Sequence, residues 1–70
     1  MYVIQIKCKD EHTFRMLIEY LKKRCTLVGH KSENKIRIYS DDEMESEKLY
    51  DNVIYQIDMW KDLRAEVDFI

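Results

Sequence analysis

From Tyr2 to Cys8 apolar and polar side chains alternate, with Tyr2, Ile4, Ile6 and Cys8 on one side and Val3, Gln5 and Lys7 on the other. A period of two is the signature of a strand with one buried face, because successive side chains of a strand point to opposite sides. The period then changes: Phe14, Leu17, Ile18, Leu21 and Cys25 recur at helical spacing. Asp10 stands where an N-cap accepts from the first free amides, and Lys22, Lys23 and Arg24 fall where cations suit the negative end of a helix dipole. The switch predicts a strand followed by a helix over 11–24. Two elements with one apolar side each must cover one another, which commits the chain to a layered arrangement of sheet and helix.

The remaining residues repeat the theme. Residues 26–30 and 35–40 read as strands around the polar turn Lys31-Ser32-Glu33-Asn34, in which Asn34 tolerates a left-handed backbone. Ser40 and Glu43 have capping-box spacing, with Tyr39 placed to staple onto Met44. A second helix follows, its stripe centred on Val53 with Leu49, Tyr50, Ile57 and Trp60 beside it and Asp51, Asp58 and Asp62 opposite. Ala65, Val67 and Phe69 alternate with Glu66, Asp68 and Ile70, which predicts a closing strand, a frayed helix being the alternative at this position. With right-handed crossovers this order gives an α+β fold, a small βαββα(β) ferredoxin-like sandwich with an antiparallel sheet and two helices on one face. That topology hosts many unrelated functions.

Residues 1–70 make a single domain, close to the lower size limit for a self-sufficient core. At this size burial and chain entropy nearly cancel, so association is favoured and a homodimer is expected. Were the last strand missing, strand one would be an exposed edge and the natural place for self-pairing. The chain is 46% hydrophobic and 37% charged, with a net charge of −2 and a pI near 5.6. It therefore has no global field for nucleic acid or membrane. Apolar runs such as Val53-Ile54-Tyr55 fall far below the ~20 residues of a spanning helix. No basic-then-apolar leader opens the sequence, and a cytoplasmic protein is expected. One Gly, one Ala and no Pro beside abundant Lys, Ile, Tyr and Asp suggest AT-rich coding, as in a low-G+C bacterium, an archaeon or a phage.

Chemistry is harder to find. Cys8, His12, Cys25 and His30 form C-x3-H and C-x4-H pairs, a zinc-like set. The intervening helix separates the pairs by about 20 Å at ~1.5 Å per residue, which excludes a shared ion and an intrachain disulfide alike. Cys25 follows three cations that would activate a thiol, but the helix C-terminus disfavours a thiolate and no histidine is placed as base. No Ser-His-Asp set occurs, and the lone Gly29 cannot cradle a phosphate. No catalytic residue, metal or cofactor is assigned, and the chain is read as a non-enzyme.

Two surfaces remain. Asp41, Asp42, Glu43, Glu45 and Glu47 carry more negative charge than capping uses, and like charges at i,i+4 cost about 0.2–0.5 kcal/mol each. No calcium-loop spacing accounts for them, so they point to a basic partner. Tyr55 and Met59 lie off the Val53 stripe and, with Trp60 at its edge, offer an apolar contact. Lys7, Lys9, Lys35, Arg37 and Tyr39 project from the uncovered sheet face, a basic platform with a single stacking aromatic. The leading expectation is a non-catalytic protein-interaction module, homodimeric, acting as a regulatory adaptor or inhibitor encoded by a phage or mobile element. It would bind through Asp41, Asp42, Glu43, Glu45, Glu47, Tyr55 and Met59. The alternative is a small single-stranded nucleic-acid-binding domain using the basic sheet face.

Overall fold

Tyr2–Cys8 forms β1, the strand on which everything else is assembled. In the computed structural model, which describes residues 1–70, it is followed by α1 (Glu11–Leu21), β2 (Thr26–His30), β3 (Lys35–Ser40), α2 (Glu43–Met59) and β4 (Ala65–Phe69). The sheet order is β2-β3-β1-β4 and every pairing is antiparallel. This is the ferredoxin-like α+β arrangement, two split βαβ units whose β1 and β3 lie side by side. No helix is long and apolar enough to cross a membrane.

The even phase of β1 is the core phase. Ile4 stands opposite Ile38 and Ile6 opposite Ile36, and all four are buried. Leu17 and Leu21 of α1 and Leu49 and Val53 of α2 cover them from one face, with Cys8, Phe14 and Leu63 completing the cluster. Burying an aliphatic side chain is worth about 1.5–3 kcal/mol, so this contiguous patch is the main favourable term for so short a chain. Truncating its centre, Leu17→Ala, would cost about 2–5 kcal/mol.

Gly29 sits on the helix-facing side of β2, where α1 side chains approach the strand closely. A Cβ there would lie 3.0 Å from the Ile18 side chain and 3.1 Å from the Phe14 ring. In the hairpin, a short 3-10 turn over Lys31–Glu33 ends at Asn34 with φ 53° and ψ 40°, the left-handed conformation anticipated for that residue.

Three local readings are corrected. First, α1 ends at Leu21 rather than at residue 24, so Lys22, Lys23 and Arg24 lie in the following turn. Arg24 still serves the helix end: its guanidinium donates to the Tyr20 carbonyl at 2.6 Å and lies 4.0 Å over the Tyr20 ring. Second, α2 starts at Glu43 with Asp42 as N-cap, its carboxylate accepting from the Met44 amide at 3.1 Å. Ser40 ends β3, where its hydroxyl accepts from the Asp42 amide and donates to the Asp42 carbonyl, so the capping-box spacing does not apply. Met44 is exposed and Tyr39 belongs to the other sheet face, so no staple forms. Third, Asp62 lies beyond α2, where its exposed carboxylate meets His12.

The closing strand is present. β4 pairs with β1 from Ile4↔Phe69 to Cys8↔Ala65, which makes β1 central and leaves β2 and β4 as the sheet edges.

Candidate functional site

The sheet has two ends, and the acidic residues gather at one of them. Where β1 begins and β3 and β4 finish, the polypeptide enters α2 through Asp41 and Asp42. Two cavities flank this entry. One, of about 330 Å³, is lined by Met1, Thr26, Tyr39, Ser40, Asp41, Asp42 and Glu45. The other, of about 310 Å³, is lined by Tyr2, Val3, Phe69 and Ile70 with Ser46, Glu43 and Glu47, and shares Met1 with the first. All five carboxylates anticipated from the sequence therefore rim a cavity.

The second cavity exists because of what the sequence puts at its floor. Position 46 faces the sheet and is buried, yet it is a serine whose hydroxyl donates to the Glu43 carbonyl at 2.8 Å. A small side chain one turn before Leu49 leaves the space that the Leu49–Val53 stripe fills further along. The walls are apolar and poorly covered: Phe69 is 48% exposed and stacks on Tyr50 with ring centroids 4.8 Å apart, and Ile70 is 61% exposed. An apolar groove with a carboxylate rim suits an apolar side chain flanked by cations, since the walls gain from burial and the rim supplies steering charge. Alternation had placed Tyr2 and Phe69 in the core phase. Missing was the fact that both fall at strand ends, where the helices cover them only in part.

Tyr55 and Met59 do not enter this site. They are exposed at i,i+4 on the outer side of α2, Tyr55 lying about 12 Å along the axis from Glu47 at ~1.5 Å per residue. The anticipated protein-binding residues thus divide into a cluster of five and a separate pair.

The open sheet face is less basic than alternation suggested. Lys7 stands directly opposite Lys35, and Arg37 donates to the Gln5 side chain at 3.1 Å. Register also brings Glu66 opposite Lys7 and Asp68 opposite Gln5, so β4 adds two carboxylates to the same face. Lys9 lies 3.9 Å from Glu66, and Lys35 lies 3.5 Å from Glu33. Tyr39 is half-buried, with Thr26 and Val3 in register on either side.

The opposite end of the sheet is tied down by contacts between residues about fifty apart in sequence. Thr13, fully buried, accepts from the Arg64 amide through its hydroxyl at 3.0 Å. His12 Nε2 donates to Asp62 at 2.8 Å, both side chains being exposed. Asp10 caps α1 by accepting from the Thr13 amide at 2.7 Å, and that bond holds its carboxyl below the usual range. No spacing signal announced the Thr13–Arg64 and His12–Asp62 pairings, because each joins an α1 residue to the segment after α2. A depression of about 550 Å³ at this end is lined by Glu11, Lys31, Ser32 and Asn34, with no hydrophobic residue among them.

Cys8 and Cys25 are both free thiols. Burial, and then the nearby Asp10, push the Cys8 thiol up to about 11; burial and then Glu45 raise that of Cys25. Neither is prepared as a nucleophile at neutral pH. The Cys25 thiol donates to the Leu21 carbonyl at 3.4 Å, as a residue packed at the end of α1 would. No group of three or more His, Cys, Asp or Glu side chains is arranged to hold a metal ion. Comparison with protein-family models, with curated proteins and with solved structures finds no match to this chain.

Proposed function

We propose that this chain is a non-catalytic protein-interaction module, a regulatory adaptor or inhibitor, which receives a basic segment of a partner protein at the acidic open end. The observation that carries the reading is the pairing of an exposed apolar groove (Tyr2, Val3, Phe69, Ile70) with a rim formed by Glu43 and Glu47. Asp41, Asp42 and Glu45 extend the same negative surface into the adjoining cavity. Like charges at Glu43/Glu47 work against the helix, so their presence at the groove mouth is better accounted for by a cationic partner than by stability. Tyr55 and Met59 serve as a secondary contact for a partner long enough to run along α2. A homodimer and a cytoplasmic setting belong to the same proposal.

The competing reading, a single-stranded nucleic-acid-binding domain on the open sheet face, has one observation in its favour. Lys7 and Lys35 are placed directly opposite, which costs stability without a ligand. Against it stand Glu66 and Asp68 on that face.

An NMR titration separates the two. A panel of short Lys/Arg peptides, each carrying one Leu, Ile or Phe, should shift the Tyr2, Ser46 and Phe69 signals, and Glu43→Lys with Glu47→Lys should abolish the shifts. Unmoved groove signals across the panel would sink the proposal. An oligonucleotide that shifts Lys7, Lys35 and Arg37 at low salt, and releases as salt rises, would establish the competitor.

A further inference from the structure

The sheet order leaves only β2 and β4 with unpaired backbone donors and acceptors along one side. Such edges pair with other chains unless something blocks them. The two edges differ in this respect. β4 (Ala-Glu-Val-Asp-Phe) carries Glu66 and Asp68, and antiparallel self-pairing about Val67 would set each Glu66 against the partner's Asp68. Like charges in that position oppose pairing. β2 (Thr-Leu-Val-Gly-His) has no Asp, Glu, Lys or Arg, no proline and no bulge.

We infer that β2 is a self-pairing edge: two copies join β2 to β2, antiparallel about Val28, as one continuous eight-stranded sheet. This rests on the dimeric part of the proposed function and is independent of the open-end groove. The register is free of conflict on both faces. On the open face Val28, 45% exposed, meets its own copy, and Thr26 meets the partner's His30. On the helix side Leu27 stands opposite the partner's Gly29. At that glycine the Ile18 and Phe14 side chains lie 3.0 and 3.1 Å from where a Cβ would be. Leu27, packed against its own core, therefore faces across the seam a strand position that carries no side chain and is backed by apolar groups. Copies related by a two-fold close as a dimer, whereas β2 against β4 would propagate head to tail. A five-residue seam is short beside the ~1,200–2,000 Å² that stable specific interfaces bury. The dimer consequently dissociates on dilution.

Sedimentation equilibrium across a wide concentration range tests this, with Val28→Lys and Val28→Glu as variants; Val28 lines neither cavity at the open end. Wild type is expected to pass from monomer to dimer and stop there. Each variant alone should weaken association at least ~10-fold, because it sets a charge against itself at the two-fold. An equimolar mixture of the two should restore the dimer, which a folding defect could not do. Asp68→Lys on β4 should leave association unchanged. A wild type that stays monomeric, growth beyond the dimer, V28K that still dimerises, or loss of the dimer in D68K would each overturn the inference. The peptide titration repeated on monomeric V28K reads the groove separately, so failure of one idea is told apart from failure of the other.

Discussion

The two ends of the sheet are made from the same kinds of residue but are finished in opposite ways. At the end where α1 begins and α2 finishes, Leu63 is buried, Thr13 accepts from the Arg64 amide, His12 meets Asp62, and the Cys8 amide donates to the Asn34 carbonyl at 2.8 Å. At the other end Tyr2, Phe69 and Ile70 stay partly exposed, with Glu43 and Glu47 at the rim of their cavity and Asp41, Asp42 and Glu45 lining the adjoining one. On the proposed function, the contrast separates stability from recognition. A small domain can leave one end poorly covered when the other is closed by long-range bonds, and low local stability is where binding surfaces are commonly found.

That division can be attacked from both sides. The largest effect is expected at the closed end, where Leu63→Ala should lower unfolding free energy by about 2–5 kcal/mol in urea denaturation. Thr13→Val keeps the shape but leaves the Arg64 amide without its acceptor, and should cost about 1–3 kcal/mol. A negligible change would mean that the end is not closed by this bond.

Alkali should reach the closed end next. The folded-state pKa of Cys8 is raised, from 9.0 to about 11. Its contribution to stability is thus complete below the unfolded value and is lost as pH rises from 9 towards 11. At neutral pH a thiol reagent should label Cys25, at the open end, well before Cys8. Simultaneous labelling would contradict the difference between the ends.

Smaller changes are expected at the open end. Phe69→Ala removes the stack on Tyr50, worth about 0.5–1.5 kcal/mol beyond its half-exposed area, and should abolish peptide binding while the fold persists. Smallest is Glu47→Gln, which relieves repulsion with Glu43 and Asp51 and should raise stability by about 0.2–0.5 kcal/mol per pair relieved while weakening peptide binding. A mutation that improves the fold and impairs the site is the clearest sign that the carboxylates are held for a partner.

How much of this was written in the sequence depends on the range of the interaction. Periodicity is local, so β1, the β2–β3 hairpin with its left-handed Asn34, the Val53 stripe and β4 were all legible. Helix ends were less so: Arg24 and Asp42 act through side-chain bonds to particular backbone groups, and spacing alone could not choose between Ser40 and Asp42 as the cap. The acidic half of the candidate site was visible as an excess of charge. Its apolar half was not, since Tyr2 and Phe69 read as ordinary core positions until the length of the helix cover is known. The face-sharing of Glu66 and Asp68 with Lys7 and Gln5 needed register, which follows only from the order of strands.

The aromatic contact between the helices carries a practical consequence. Trp60 is the sole tryptophan, and its ring meets Tyr20 edge-on with centroids 5.6 Å apart. Its emission is therefore a built-in optical gauge of whether α1 and the end of α2 remain packed together. Because Trp60 lines neither acidic cavity, that signal should stay silent while the groove fills and change only when the closed end comes apart.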